Sequence, residues 1–152
     1  ELYTASIDTP ARLNGKVITV SKVDKLSDSL IMTGLDKNTD SSIPPYAMLK
    51  AIAGNVQKAR LMGVAALDMC QVACGRAEGY FEAHIYIWDI AAAGLIVRQA
   101  GGKSEQIGKI HPRTHRLRFI ASNGLIHSKF KKLITSTLNK YSKKKKRKIT
   151  RR

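Results

Sequence analysis

Apolar residues along this 152-residue chain follow two rhythms: alternation over short stretches, and recurrence every three or four residues over longer ones. The first marks a half-buried strand and the second a helix packed on one face. "NGKVITVS" (14–21) opens on a turn dipeptide and continues in β-branched alternation, which predicts a hairpin and strand. "DSLIMTGL" (28–35) is a short apolar run suited to a buried strand, and "DKNTDSS" after it reads as loop. Pro44 and Pro45 fit the first turn of a helix that sets Met48, Leu49, Ile52, Ala53 and Val56 on one face. "ARLMG" (59–63) predicts a short strand ending at Gly63, followed by a helix from Val64 to Cys74 closed by Gly75.

"GYFEAHIYI" (79–87) predicts the next strand, and residues 88–100 the next helix, stopped by Gly101 and Gly102. After Asp89 only Arg98 and Gln99 interrupt the apolar character of that helix. A helix apolar nearly all round is buried on more than one side, so this one is expected between two sheets, or between a sheet and a further helix layer. A polar strand near 103–109, the strand "LRFIAS" (117–122) and a helix over about 124–140 complete the series. The stripe of that last helix is Leu125, Ile126, Phe130, Leu133, Ile134 and Leu138. Strands separated by helices of this length predict an α/β layered fold with a mostly parallel sheet.

Composition bounds the picture. A chain that is 43% hydrophobic over 152 residues is one domain with a sizeable core. No apolar run approaches the ~20 residues needed to span a bilayer, and no signal-like segment opens the chain. With two cysteines and no export signal, a reducing, cytoplasmic setting is expected. The first residue is Glu1 and not Met, which predicts a fragment or a processed chain.

The net charge of +16 is uneven: nine of the 27 basic residues fall in "NKYSKKKKRKITRR", leaving 18 basic against 11 acidic residues elsewhere. This run predicts a disordered basic tail over 139–152, beyond an α/β domain spanning 1–138. Residues 140–152 read either as a solubilising extension or as an electrostatic contact with RNA, DNA or acidic membrane, or as a nuclear-import signal. A single Tyr gives such a tail little to stack on bases. Cys70 and Cys74 lie i,i+4 on one helix face, where a disulfide is geometrically disfavoured. His111 and His115 sit in "KIHPRTHRL" without a thiol or acid to complete a zinc site.

Asp89 stands at the start of the apolar helix, where an Asp serves most often as a cap or as a partner of the helix dipole. Alternation places Glu78, Tyr80 and Glu82 on one side of the preceding strand, with Gly79 and Phe81 on the other. A carboxylate on that strand and another at the helix start could form half of an oxygen-ligand site for a hard divalent cation. Spacing leaves both readings open.

"GVAALDMCQVACGRAEGYFEAHIYIWDIAAAGLIVRQAGG" (63–102) resembles the C-terminal signature region of the inositol monophosphatase family. Its closing piece matches the family's Trp-Asp-x-Ala pattern and terminal Ala-Gly-Gly, and similarity extends over about residues 1–130. The resemblance implies a Mg²⁺-dependent phosphomonoesterase of stacked αβαβα layers, usually dimeric and often lithium-sensitive, in which metal activates water for in-line attack. Asp89 corresponds to the carboxylate that ligates metal close to substrate, and Glu82 to the acid that accepts hydrogen bonds from ring hydroxyls. Gly63, Val64 and Ala65 match the Gly-(Ser/Thr)-Ala turn whose backbone amides meet the substrate. Val64 departs from it by losing a hydroxyl, and Gln99 stands where the family often has Glu. Glu78 and His84 receive no role.

The upstream metal-ligand motifs, a Gly-(Asp/Glu)-Glu segment and Asp-Pro-x-Asp-Gly-Thr, do not occur in this sequence. One carboxylate is too few for the two or three Mg²⁺ the chemistry uses. The chain thus reads as the C-terminal, substrate-recognition half of a phosphatase for a phosphorylated polyol. It would be inactive alone and completed by a missing N-terminal half or a homodimer partner. The alternative is a non-catalytic adaptor or pseudoenzyme whose tail binds RNA or an acidic partner. Relatives acting on inositol phosphates, fructose bisphosphate, histidinol phosphate or phosphoadenosine phosphate share versions of the Trp-Asp motif, so the substrate stays open.

Overall fold

The computed structural model describes residues 1–35 and 45–149. The Asn14-Gly15 turn joins β2 (Thr9–Leu13) to β3 (Lys16–Val17), and β1 (Tyr3–Ser6) completes a three-stranded antiparallel sheet. The strand expected to reach Ser21 ends at Val17, because the backbone then leaves the ladder: the Val20 N–H donates to Ala100 O at 3.1 Å. This bond ties the small sheet to the end of a helix.

The second sheet contains β4 (Leu30–Thr33), β5 (Lys58–Arg60), β6 (Gly79–Tyr86), β7 (Lys103–Ile107) and β8 (Arg116–Ser122), in the order β5-β4-β6-β8-β7. β4 pairs in parallel with both β5 and β6, whereas β6–β8 and β8–β7 are antiparallel. The α/β class holds, with a mixed sheet. Its antiparallel half arises where a loop rather than a crossover helix joins β7 to β8, since only antiparallel neighbours can be linked so directly.

Helices cover both faces of this sheet. α2 (Ala65–Ala73) and α3 (Ile87–Gln99) lie between it and the small sheet, burying Met69, Val72, Val97, Tyr80 and Ala11 together. The apolar helix thus packs between two sheets, one of the two placements its composition predicts, although Ile87, Trp88, Ala91 and Ala92 leave one stripe of it exposed. On the opposite face, α1 (Pro45–Ala53) and α4 (His127–Ile149) pack Ile52, Phe130 and Ile134 against Ile31, Phe81 and Ile120. Adjacent Tyr80 and Phe81 enter different cores, the direct result of strand alternation.

Some helix details differ from the sequence pattern. Ala53 is exposed and Val56 lies beyond the end of α1, while Pro44 and the "DKNTDSS" segment fall outside the described residues. Leu125 is exposed because α4 begins only at His127, with Asn123 Oδ1 accepting the Ile126 N–H at 3.2 Å in the approach. α4 then continues to Ile149, into the segment its charge predicted to be disordered. Lys and Arg are good helix formers, and cations near a helix C-terminus complement its dipole. Residues 150–152 of that tail are outside the described residues.

Ser122, His127 and Glu105 have the residue types of a hydrolytic triad. Ser122 Oγ and His127 Nδ1 share a hydrogen bond of 2.8 Å, and His127 Nε2 lies 2.7 Å from Glu105 Oε1. Ser122 is 0% exposed, however, so no substrate can reach it. The chain, extended by Lys131 Nζ on Glu105 Oε2 at 2.7 Å, fastens the start of α4 to β7 and β8. The cysteines are free, as their spacing predicts.

Candidate active site

β4 and β6 run in parallel side by side, so their carboxyl ends reach the same edge of the sheet, where open α/β sheets collect ligands. Gly34 and Leu35 follow β4, Trp88 and Asp89 open α3 after β6, and Gly63 to Ala66 lead into α2. With Glu82 and Ile85 they line one cleft of about 550 Å³. Gly63, Val64, Ala65, Glu82 and Asp89, the five residues the sequence singled out, all lie on its wall.

Asp89 is the third residue of α3 and half-buried; its Oδ2 accepts the Tyr86 N–H at 3.3 Å. It thus caps a helix start and faces the cleft at once. The strand that leads into this helix carries a bulge. Glu82 pairs with Phe119 and Ile85 with Leu117, so β6 carries one extra residue between them. The bulge switches parity: Ile85, rather than His84, joins Tyr80 in the core beneath α2 and α3.

Glu82 Oε2 accepts the Tyr80 O–H at 2.7 Å. A Cβ at Gly34 would collide with the Glu82 carboxylate, so glycine at the end of β4 is what lets Glu82 lie there. At Gly63 the backbone is left-handed, φ +81°, which turns the chain from the loop after β5 into α2. Val64 is the N-cap of α2 in extended conformation and supplies no capping hydrogen bond, as expected for a side chain without a hydroxyl. The amides of a helix's first turn lack intrahelical acceptors, and Ala65 and Ala66 at that turn line the cleft.

Sequence reasoning missed Gly34, Trp88, Tyr80 and Asp68. Asp68 sits in the first turn of α2, 1% exposed, and its Oδ1 has no hydrogen-bond partner among the described residues. Burial, helped by the nearby Glu82, pushes its carboxyl up to about 6. Burial likewise raises the Tyr80 hydroxyl far above its ordinary value, with Glu82, Asp68 and Asp89 adding to the shift. The hydroxyl therefore stays protonated and serves as a donor to Glu82. Glu78 is positioned quite differently: its Oε2 accepts the Leu30 N–H at 2.6 Å and latches β4 to the start of β6, away from the cleft.

Among the described residues no group of three or more His, Cys, Asp or Glu side chains is arranged to hold a metal ion. Asp89 offers one carboxylate, Glu82 is engaged by Tyr80, and Asp68 is walled into the core. These residues by themselves do not make the oxygen cage a Mg²⁺ ion requires.

The chain matches the model of the inositol monophosphatase family over residues 1–143. It is 35% identical over 143 residues to an inositol-1-monophosphatase of Synechocystis, covering 90% of this chain and 48% of that one. It is 43% identical over 105 residues to a Nus factor SuhB of Xylella fastidiosa, covering 67% of this chain and 38% of the relative. The structure of an inositol monophosphatase from Anabaena superposes with a TM-score of 0.79 at 31% identity, covering 88% of this chain and 54% of that one. The chain spans about half the length of the relatives it matches or less. With the family model spanning nearly all of the chain and the Trp88-Asp89 helix set against its cleft, this chain belongs to the inositol monophosphatase family.

Proposed function

We propose that the chain is the substrate-recognition half of a Mg²⁺-dependent hydrolase of inositol or sugar monophosphates. The supporting observation is the convergence of Gly63, Val64, Ala65, Glu82 and Asp89 on one cleft. The first turn of α2 offers backbone N–H groups to a phosphoryl oxygen. Glu82, held by Tyr80, is an acceptor for polyol hydroxyls, and Asp89 offers its carboxylate to a cation near the phosphoryl group. Because one carboxylate is too few, further Mg²⁺ ligands must come from another segment or chain. The chain mixed with the N-terminal half of the Synechocystis relative and Mg²⁺ should release phosphate from inositol 1-phosphate, and Asp89→Asn should abolish release. No release from a folded, associated pair across several phosphomonoesters overturns the reading.

A second reading, a non-catalytic adaptor, is favoured by the relatives named Nus factor SuhB together with the basic run after Asn139. It predicts RNA binding that weakens steeply with salt and disappears when residues 140–152 are deleted. Binding that is absent or independent of salt removes it.

A further inference from the structure

A second cleft, of about 570 Å³, opens where the carboxyl end of β6 meets the amino end of β8, under the loop that joins β7 to β8. It shares no lining residue with the first. His84, Lys109, His111, Arg116 and Arg118 line it, and among the described residues its lining includes no carboxylate. The β6 bulge contributes here too, since the parity change that sends Ile85 into the core leaves His84 to this cleft.

The loop is held in shape by its own backbone. The His111 N–H donates to Arg116 O at 2.8 Å, and the His115 N–H to His111 O at 2.9 Å. His111 Nδ1 accepts the Thr114 N–H at 3.2 Å, so in the neutral ring the proton is on Nε2, which becomes a donor. Arg116 is fixed by Tyr86: its Nε donates to the Tyr86 hydroxyl at 3.0 Å, and its guanidinium lies 4.9 Å from the ring centroid. Trp88 stacks on the same ring at 4.7 Å with an interplanar angle of 10°. The ring is thus already engaged by an indole and a guanidinium, which leaves it poorly available for stacking a nucleobase.

Lys109, Arg116 and Arg118, from the loop and β8, stand beside the imidazoles of His84 and His111 and create a positive field that draws in anions. Guanidinium forks match phosphoryl oxygens, and a cleft of this size is in the range of small-molecule sites. The geometry points to a binding site for a small diphosphate-type polyanion without a nucleobase, separate from the phosphomonoester cleft.

The test is calorimetric titration of inorganic pyrophosphate into the full chain in EDTA, so that metal-dependent binding elsewhere does not contribute. Lys109→Gln combined with Arg118→Gln should weaken binding about tenfold or more, as expected for losing two charge-assisted contacts. Replacing Lys143, Lys144, Lys145 and Lys146 by Gln should change it less than about twofold, since none of them lines the cleft and charges beyond a Debye length are screened by salt. Adenosine diphosphate should bind no tighter than pyrophosphate, and pyrophosphate should shift the ring signals of His111 and His84. Exposed Lys109→Gln alone, which leaves the core untouched, guards against misfolding of the double variant and should weaken binding severalfold. Unchanged binding by the folded cleft variants overturns the proposal. So does binding lost only with the tail lysines, binding of single-stranded RNA in place of pyrophosphate, or no binding at all.

Discussion

Asp68→Asn tests how the cleft is built from below. Asp68 is buried at the first turn of α2 with an Oδ1 unpartnered among the described residues, and its carboxyl is raised from the ordinary 3.8 to about 6. At 1.36 kcal/mol per pH unit, that rise corresponds to about 3 kcal/mol of native-state penalty for the ionised form. Between these two values the native state holds the proton and the unfolded chain releases it. The native state therefore binds more protons, and stability falls as pH rises through the window. Above pH 6 the whole penalty is present; below 3.8 it is absent. Asn keeps the shape and removes the charge, at a cost of about 1–2 kcal/mol for a buried amide donor that must find an acceptor. Urea denaturation at a series of pH values from 4 to 7.5 should show Asp68→Asn more stable than the parent by about 1–2 kcal/mol at pH 7.5 and less stable at pH 4. The decisive quantity is the change in the difference, about 3 kcal/mol across the series. Parallel stability curves for the two proteins would refute the assignment of a raised, buried carboxyl to Asp68.

Two further outcomes follow from the same cleft and from the helix behind it. Gly34→Ala should push the Glu82 carboxylate aside and break its bond from Tyr80, at a cost of no more than about 1 kcal/mol in chemical denaturation because only the end of a flexible side chain must move. In the reassembled enzyme it should also raise KM, because Glu82 is displaced. Glu105, held below the usual Glu range chiefly by Lys131 and then by His127, stabilises the fold when ionised. That contribution is present above the unfolded Glu value and is lost as pH falls through the lowered one. Glu105→Gln should therefore destabilise at pH 7 and lose this disadvantage at low pH, as read from melting temperatures across the acid range.

Much of the scaffold was legible because it rests on local periodicity. The strand at Gly79–Tyr86, the helix at Ile87–Gln99 and the helix at Ala65–Ala73 lie within a residue or two of where alternation and 3–4 spacing put them. The position of the Trp88-Asp89 helix between two sheets followed from its nearly uniform apolarity, but the exposure of Trp88, Ala91 and Ala92 along one stripe did not. The length of α4 was not legible, because a run of like charge argues for disorder while the same Lys and Arg residues favour helix.

The candidate site divides along the same line. Asp89, Glu82 and the Gly63-Val64-Ala65 turn stood out from short-range pattern and motif alone, since each is specified by its immediate neighbours. Pairing register between distant segments decided the rest. The extra residue in β6 assigns Ile85 to the core and His84 to the basic cleft; Gly34 makes room for Glu82, 48 residues away; and α2 closes over Asp68. Sequence by itself determined which residues are able to do chemistry, because side-chain type and helix or strand phase are local properties. The tertiary structure alone decided which of them face a common space, because a single bulge or a single missing Cβ changes the neighbours of a side chain without leaving a mark on the periodicity of either segment.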